Sequence, residues 1–318
     1  MTHYDAFNGD ADGICSLHQL RLAEPRESVL VTGVKRDINL VARIDATAGD
    51  SATVLDVSFD RNRDAVQALL DREVAVFYAD HHFAGELPAS PLLDSHIDTA
   101  ADICTGLIVN AILDGAHLPW AVTAAFGDNL DASAERAAAP LALDAGQIAA
   151  LRRLGILLNY NGYGSSIDDL HFDPAELYRR VSPYANPFDF IADDDAYAAL
   201  DAGYDDDTRK VAAIDPETET DAVAVYLLPN AAFARRVSGV HANALAQAAP
   251  DRAHAILSDL GDDHFLVSVR APLNHREGAD ELCRRFDTGG GRKAAAGINR
   301  LPESDLGRFV TAMQAQFG

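Results

Sequence analysis

Several residues of this chain could together bind divalent metal ions, because each is an aspartate or a histidine that follows a short apolar segment. They are Asp10, Asp12, Asp56, Asp80, His81, His82 and Asp128. Mg²⁺ and Mn²⁺ take oxygen ligands, and Mn²⁺ also accepts imidazole. Taken singly, an aspartate after a strand is more often a helix N-cap. The repetition of the pattern at successive segments favours a metal site.

The elements that must position these residues form an α/β pattern. The first hundred residues alternate short apolar strands with helical stretches, which predicts a parallel sheet built from βαβ units. The predicted strands are 3–8, 28–34, 52–56 and 74–78, and the predicted helices are 12–23 and 63–70. Ligands bind such sheets at the carboxyl ends of the strands. The aspartates and histidines are therefore expected to meet at one edge of the sheet.

The rest of the chain predicts a helical extension and a second, smaller α/β domain. Apolar residues recur at helical spacing in 104–113, 119–126, 145–158 and 174–181. A polar stretch at 203–220 is interpreted as the connection to strands 222–228, 252–260 and 264–271 and helices 231–248, 278–286 and 303–316. The predicted division is therefore a catalytic domain at 1–205, a linker at 206–220 and a substrate-binding domain at 221–318.

The composition is that of a folded protein. With 48% hydrophobic and 24% charged residues in 318, a largely disordered chain is excluded. No apolar run approaches the roughly 18 residues of a membrane helix, and the amino terminus lacks the pattern of a targeting segment, so a cytoplasmic location is expected. Cys15, Cys104 and Cys283 lie far apart without a CxxC pair. They are expected to be core residues rather than disulfide or zinc ligands.

The charge balance limits the partners. There are 26 basic and 49 acidic residues, which gives a net charge of -23. A protein that grips duplex phosphates normally carries a stripe of Lys and Arg, so duplex DNA is not expected as a partner. Any polynucleotide substrate is expected to be short or to be held by a local basic pocket. No membrane partner is expected, and a homodimer stays an open option.

One segment near the carboxyl terminus could bind a phosphate. It consists of Gly289, Gly290, Gly291, Arg292 and Lys293. Glycines let backbone N–H groups approach a phosphate closely, and the two basic side chains add positive charge. Arg270, at the end of a predicted strand, is a second candidate phosphate clamp, and a surface arginine is the alternative interpretation.

The segment NYNGYG, at residues 159–164, is unusual between two predicted helices. As a loop it could stack a nucleobase on Tyr160 or Tyr163. The alternative is an ordinary turn that ends a helix.

Five segments resemble the motifs of a known family. FNGDADGICS (7–16), VLDVSF (54–59), ADHH (79–82) and FGDN (126–129) resemble the four motifs of the DHH phosphoesterases. GGGRKAAAG (289–297) resembles the glycine loop of the DHHA1 domain that commonly follows. The family includes RecJ-type single-strand exonucleases, nanoRNases, cyclic-dinucleotide phosphodiesterases and exopolyphosphatases. The resemblance implies two divalent cations in a cleft between the two domains, with Mn²⁺ favoured and Mg²⁺ or Co²⁺ as alternatives.

The resemblance also implies a role for individual residues. The metal ligands would be Asp10, Asp12, Asp56, His81 and Asp128, with Asp56 bridging the two cations. Asp80 would orient the histidines, and His82 would contact the attacked phosphate or act as general acid. The chain departs from the family pattern at Ala6, Asn8 and Arg292. Asn8 stands where RecJ-type members have an acid, so it would be a neutral oxygen ligand or only a hydrogen-bonding residue.

These observations predict a two-metal phosphoesterase that hydrolyses phosphodiester bonds of dinucleotides or short oligonucleotides with metal-activated water. A RecJ-type exonuclease on single strands is an alternative, as is a hydrolase of cyclic dinucleotides or polyphosphate. A protein that binds nucleotides on a DHH scaffold without cleaving them is an alternative of a different class.

Overall fold

A sheet of five parallel strands forms the centre of the N-terminal unit, Met1–Gly203, in this computed structural model, which describes residues 1–318. The strand order is β2-β1-β3-β4-β5. The strands are β1 (His3–Phe7), β2 (Val29–Val31), β3 (Ser51–Leu55), β4 (Ala75–Asp80) and β5 (Leu93–Ile97). The central strands β1, β3 and β4 are mostly buried, as expected of a parallel sheet covered on both faces. Strand β5 is a strand that the sequence analysis missed.

The register of the sheet places the expected site residues at one edge. Phe7 of β1 is opposite Leu55 of β3, and Leu55 is opposite Ala79 of β4. Because these strands are parallel and end at the same level, the residues that follow them leave the sheet side by side. The predicted meeting of strand ends at one sheet edge is therefore present in the fold.

Nine helices surround this sheet or extend from it. They are α1 (Ala11–Ala23), α2 (Phe59–Asp71), α3 (Thr105–Ile112), α4 (Leu118–Gly127), α5 (Asp131–Ala138), α6 (Ala145–Gly162), α7 (Pro174–Val181), α8 (Pro187–Asp193) and α9 (Asp195–Ala212). Helix α6 extends to Gly162, so NYNGYG is not a loop: its first four residues form the last turn of α6. The polar stretch that begins at residue 203 is helical as far as Ala212, at the end of α9.

Two glycines let α4 pack closely against α6 and α1. A Cβ atom on Gly155 of α6 would lie 2.4 Å from the carbonyl oxygen of Thr123. A Cβ atom on Gly127 would lie 2.3 Å from the Cβ atom of Ala11 in α1. Both distances are too short for a side chain, so glycine is required at both positions. This packing fixes the carboxyl end of α4, and Asp128 is the residue that follows it.

The C-terminal unit, Tyr204–Gly318, is built on a mixed sheet in the order β10-β11-β9-β8-β7-β6. Its strands are β6 (Thr218–Glu219), β7 (Val223–Leu228), β8 (Ala253–Asp259), β9 (His264–Arg270), β10 (Gly289–Arg292) and β11 (Ala295–Pro302). Its other helices are α10 (Ala232–Ala248), α11 (Ala279–Cys283) and α12 (Leu306–Phe317). Only β7 and β8 pair in parallel, and the glycine segment is an antiparallel hairpin rather than a loop.

The three cysteines are free and buried, as expected of core residues. None of the helices combines the length and the apolar character that a membrane span requires.

Candidate functional site

Asp12 lies in the first turn of α1, where the start of another helix orients its carboxylate. The backbone N–H of Thr105 donates to Oδ2 at 2.8 Å, and that of Gly106 donates to Oδ1 at 2.7 Å. Both donors belong to the first turn of α3, where unpaired N–H groups favour an anion. The side chain of Asp12 is almost completely buried. Its carboxylate is therefore held in one orientation before any ligand binds.

Asp10 is both a helix cap and one half of an ion pair. Its Oδ1 accepts a hydrogen bond from the N–H of Gly13 at 3.1 Å, so Asp10 is the N-cap of α1. Its Oδ2 lies 2.5 Å from the ammonium nitrogen of Lys35. Burial acts to raise the pKa of Asp10, but Lys35 and these hydrogen bonds hold the pKa below its ordinary value.

Asp56 follows β3 with a left-handed backbone, at φ 55°. Aspartate adopts this region more readily than most residues, and such outliers concentrate at functional sites. Burial raises the pKa of Asp56 well above its ordinary value, and the charges of Asp12, Asp10 and Asp128 raise it further. Burial and the neighbouring carboxylates thus both disfavour the ionised form of Asp56.

His81 presents one nitrogen to three carboxylates. Its Nδ1 lies 3.0 Å from the carbonyl oxygen of Ile103, which places the proton on Nδ1 and leaves Nε2 as a potential ligand. Nε2 is 3.4 Å from Asp56 Oδ1, 3.8 Å from Asp128 Oδ2 and 4.0 Å from Asp12 Oδ2. This set of three carboxylates and one unprotonated imidazole nitrogen suits a divalent cation.

Two overlapping groups of ligand atoms meet at His81. Asp12, His81 and Asp128 form one, and Asp56, His81 and His82 form the other, with the atoms of each group within 4.8 Å of one another. Asn8 adds a further oxygen nearby in the sequence: it is buried, and its Oδ1 has no hydrogen-bond partner. An unpaired buried amide oxygen fits the expected neutral ligand. The residues present therefore fit the expected metal.

Asp128 follows α4 on the more open side of the cluster. Burial and the charges of Asp12 and Asp10 raise the pKa of Asp128 to about 6, against the lowering effects of Lys35 and His81. Its two oxygens face different partners, Lys35 at 3.7 Å and His81 at 3.8 Å.

His82 is half-exposed and is oriented by a buried carboxylate. Its Nδ1 lies 2.7 Å from Oδ1 of Asp80, whose other oxygen accepts from the N–H of Phe59 at 3.4 Å. The hydrogen bond with Asp80 raises the pKa of His82 above its ordinary value. Since Asp80 occupies Nδ1, Nε2 is the nitrogen available to a substrate.

Comparison with solved structures identifies the fold. An exonuclease RecJ bound to manganese matches with a TM-score of 0.53 and 18% identity, over 99% of this chain and 89% of that one. The pGpG-specific phosphodiesterase PggH from Vibrio cholerae matches with a TM-score of 0.59 and 12% identity, over 99% and 100% of the two chains. This chain shares the fold of RecJ and PggH. The fold expected from the DHH motifs is confirmed.

A longer protein shares the DHH fold as well. RecJ from Thermus thermophilus in complex with Mn²⁺ matches with a TM-score of 0.57 and 18% identity, and this chain spans 51% of its length. No protein-family model matches the sequence, and no curated protein does.

Lys35 is a charged residue of this DHH fold that the sequence analysis did not place in the site. Its Nζ contacts Asp10 and donates to Oδ1 of Asn159 at 2.9 Å. Burial acts to lower the pKa of Lys35, but the charge of Asp10 and, to a lesser extent, Asp128 raises it above its ordinary value. Two sequence features could have revealed this residue. Lys35 is one of only three lysines, and it follows β2 at the same sheet edge.

Of the two tyrosines expected as stacking residues, Tyr160 is unavailable and Tyr163 lies beside Lys35. Tyr160 is buried, and its hydroxyl lies 2.7 Å from Nε2 of His171, so its ring is not available to stack a nucleobase. The ring of Tyr163 faces Lys35, with Nζ 5.7 Å from its centroid. Phe83, directly after His82, is 73% exposed and was missed by the sequence analysis.

The candidate phosphate residues of the C-terminal unit lie on the β10–β11 hairpin and on β9. Arg292 and Arg270 both pair in register with Ala295 of β11, on its two sides. Burial lowers the pKa of Arg270, and the charge of Arg292 lowers it further. Arg270 is oriented by Asn243 and Ser268, which are neutral partners.

The other residues of this hairpin have different surroundings. Lys293 forms an ion pair with Glu277 at 3.0 Å. Gly291 has φ 138°, and a Cβ atom on Gly289 would clash with the carbonyl oxygen of Cys283, so both positions require glycine. Gly290 has open space around its Cα atom. Arg270 and Arg292 are thus the two cations here that no carboxylate neutralises through an ion pair.

Proposed function

We propose that this chain is a metal-dependent phosphoesterase that hydrolyses phosphodiester bonds of small nucleotide substrates. The observation that carries the proposal is the convergence of three aspartates on Nε2 of His81, at 3.4–4.0 Å. Bound divalent cations would neutralise charge on the transferring phosphoryl group and lower the pKa of a water nucleophile. Asp12, Asp56, His81 and Asp128 would hold a first cation, and Asp10, Asp56 and Asn8 would contribute to a second. Mn²⁺ is proposed before Mg²⁺ or Co²⁺, since the set includes imidazole.

The protein's own acid in this proposal is His82. Asp80 keeps a proton on Nδ1 and stabilises the imidazolium form, so Nε2 can donate a proton to the leaving oxygen or a hydrogen bond to the phosphate. Asp80 acts through His82 and is a positioning residue. Since Asp80 is completely buried, it keeps this role without contacting the substrate.

Three features support a short nucleotide as the substrate. The net charge of -23 disfavours a long polyanion. Phe83 offers an exposed ring beside His82 on which one nucleobase can stack. PggH, which shares the fold, is specific for the dinucleotide pGpG. RecJ shares the fold too and is an exonuclease, so single-stranded DNA is the second candidate substrate.

The C-terminal unit is proposed to bind a phosphate. Arg292 and Arg270 would grip it, and the backbone of Gly289, Gly290 and Gly291 would allow it to approach. Lys293 would contribute less, because Glu277 holds its ammonium group.

A panel of substrates tests the proposal. We would measure product release from pGpG, pApA, a five-residue RNA, long single-stranded DNA, cyclic di-AMP, pyrophosphate and polyphosphate, each with Mn²⁺, with Mg²⁺ and with a chelator. Chelator-sensitive cleavage that is fastest on the dinucleotides is the expected result. Preference for long DNA would favour the exonuclease alternative. Nucleotide binding without any product in Mn²⁺ would favour the non-catalytic scaffold.

A further inference from the structure

The ammonium group of Lys35 lies close to two carboxylates of the candidate site. Its Nζ is 2.5 Å from Oδ2 of Asp10 and 3.7 Å from Oδ1 of Asp128. Both aspartates are among the expected metal ligands, and the remaining oxygen of Asp10 is used in capping α1. A cation that binds Oδ2 of Asp10 must therefore share that oxygen with Lys35.

The protein holds Lys35 in this position through several contacts. Asn159 of α6 accepts a hydrogen bond from Nζ, and Nδ2 of Asn159 donates to the hydroxyl of Tyr163 at 3.2 Å. The ring of Tyr163 lies 5.7 Å from Nζ, within the range of a cation–π contact. The backbone N–H of Lys35 donates to the carbonyl oxygen of Gly162 at 2.8 Å. Only 24% of the side chain is exposed. Together these contacts restrict the side chain of Lys35, which would be mobile on an open surface.

The absence of a charge at Asn8 is consistent with a fixed cation at Lys35. An acid at this position would add a negative charge to the Asp10 side, but Asn8 is neutral, and its Nδ2 donates to the carbonyl oxygen of Lys35 at 3.5 Å. The Asp10 side is thus balanced by Lys35. Asp12 and Asp56 form no ion pair with a lysine or an arginine, and their ion-pair partners are histidines.

We propose that Lys35 is a resident cation that competes with the second divalent ion for Asp10, so that the chain binds one ion tightly and a second one weakly. The inference rests on the proposed function, because it concerns the metal ligands of the same site. The first ion would use Asp12, Asp56, His81 and Asp128, where metal would relieve charge that the protein leaves unbalanced. The second ion must displace an ammonium group that is already paired, and like charges a few ångströms apart repel strongly in a partly buried site.

Binding of Mn²⁺ to the metal-stripped, full-length protein tests this inference without a substrate. Free Mn²⁺ would be quantified by electron paramagnetic resonance across a titration, for the wild type and for Lys35→Met, which keeps most of the length of the side chain and removes its charge. For the wild type we expect one tight ion and a second ion that binds at least about tenfold more weakly. In Lys35→Met we expect the second ion to bind at least about tenfold more tightly and the first to change little.

Two control variants separate Lys35 from general effects of charge. Lys210→Met removes the same charge from a surface ion pair with Asp206 and should titrate like the wild type. Adding Asp10→Asn to Lys35→Met should abolish the gain, because the gained ion requires the carboxylate of Asp10. A circular-dichroism melt of each variant establishes that it is folded.

Three results would overturn the inference: two equally tight ions in the wild type, an unchanged titration in Lys35→Met, or loss of the first ion in that variant. The outcome is independent of the proposed activity. If the titrations behave as expected and no substrate of the panel is cleaved, the proposed function fails and the role of Lys35 stands. If substrate is cleaved and the titrations do not change, only the role of Lys35 fails.

Discussion

Two buried carboxylates of the N-terminal unit, those of Asp12 and Asp56, differ from the buried carboxylates of the C-terminal unit in their partners. In the C-terminal unit, the buried Asp207 and Asp280 form ion pairs with Arg236 and Arg284. In the N-terminal unit, Asp12 and Asp56 are equally buried, but no arginine or lysine forms an ion pair with either of them.

This difference separates carboxylates that stabilise the fold from carboxylates that are kept for a ligand. A buried charge without a partner costs several kcal/mol, so a fold retains it only where something else compensates. In the C-terminal unit, Arg270 of β9 and Arg292 of β10 form no ion pair with a carboxylate. The proposed metal ligands and the proposed phosphate ligands thus share one property, which is charge that no ion pair balances.

Of the substitutions that test this contrast, Asp56→Asn is expected to have the largest effect. Asparagine tolerates the left-handed backbone at this position and removes only the charge. We expect metal-dependent hydrolysis to fall by about a thousandfold or more, since metal ions contribute several kcal/mol to such reactions. The metal-free variant should melt at a higher temperature than the metal-free wild type, because repulsion within the cluster is relieved. Asp94→Asn, at an exposed residue, is the control and should leave both measurements unchanged.

Packing glycines provide a second contrast between the units. Gly155→Ala should lower the free energy of unfolding by about 2–3 kcal/mol, because its Cβ atom would overlap the backbone of α4. Gly239→Ala, in α10 of the C-terminal unit, meets no atom within 4 Å and should raise it by about 0.5–1 kcal/mol. Urea unfolding measures both changes. Equal effects of the two substitutions would contradict the close packing of α4 and α6.

The hairpin of the C-terminal unit is tested by Arg292→Ala. Loss of a charge-assisted hydrogen bond to phosphate should raise KM about tenfold. The affinity for Mn²⁺ should not change, because the expected metal ligands all belong to the other unit. Arg209→Ala is a matched control, since Arg209 is 71% exposed and pairs only with a surface acid. A shift in Mn²⁺ affinity without a shift in KM would be the contrary result.

The smallest effect expected is a pH dependence of stabilisation by metal. The pKa of Asp128 is raised to about 6 in the folded protein, from an ordinary value of 3.8. The protonated form is therefore the one that folding favours, and its contribution to stability is lost as pH rises through about 6. Mn²⁺ needs the ionised carboxylate and reverses this loss. Addition of Mn²⁺ should raise the melting temperature more at pH 7.5 than at pH 5, and Asp128→Asn should weaken that difference.

The sequence was sufficient to predict the strands that consist mostly of apolar residues. Strands β3 and β4 are mostly apolar because both faces of the sheet are covered, and β1 is mostly buried as well, although it reads HYDAF. Strand β5 reads LDSHI and lies at the sheet edge, so it lacks an apolar run and was missed. Strand β10 reads GGGR, which has no periodicity, and it forms a strand only because β11 pairs with it. Tertiary pairing, rather than local preference, decides both of these strands.

For the candidate site, the ligand types could be predicted, but the groups that hold them could not. Asp12, Asp56, His81 and Asp128 follow strand or helix ends, a position that chain order reveals. The N–H groups that orient Asp12 and the carbonyl group that sets the tautomer of His81 belong to backbone, which has no sequence signature. Lys35 reaches Asn159 across 124 positions of the chain, and such a pair cannot be inferred from spacing.

The hydrogen bonds between Asp12 and the start of α3 also set an order of events during synthesis. Asp12 leaves the ribosome early, but the N–H groups that orient it lie 93 and 94 residues later in the chain. Asp128 follows later still. A nascent chain that has emerged only as far as β4 therefore carries Asp12 without the N–H groups that orient it. The proposed first metal site is complete only after Asp128 has emerged as well.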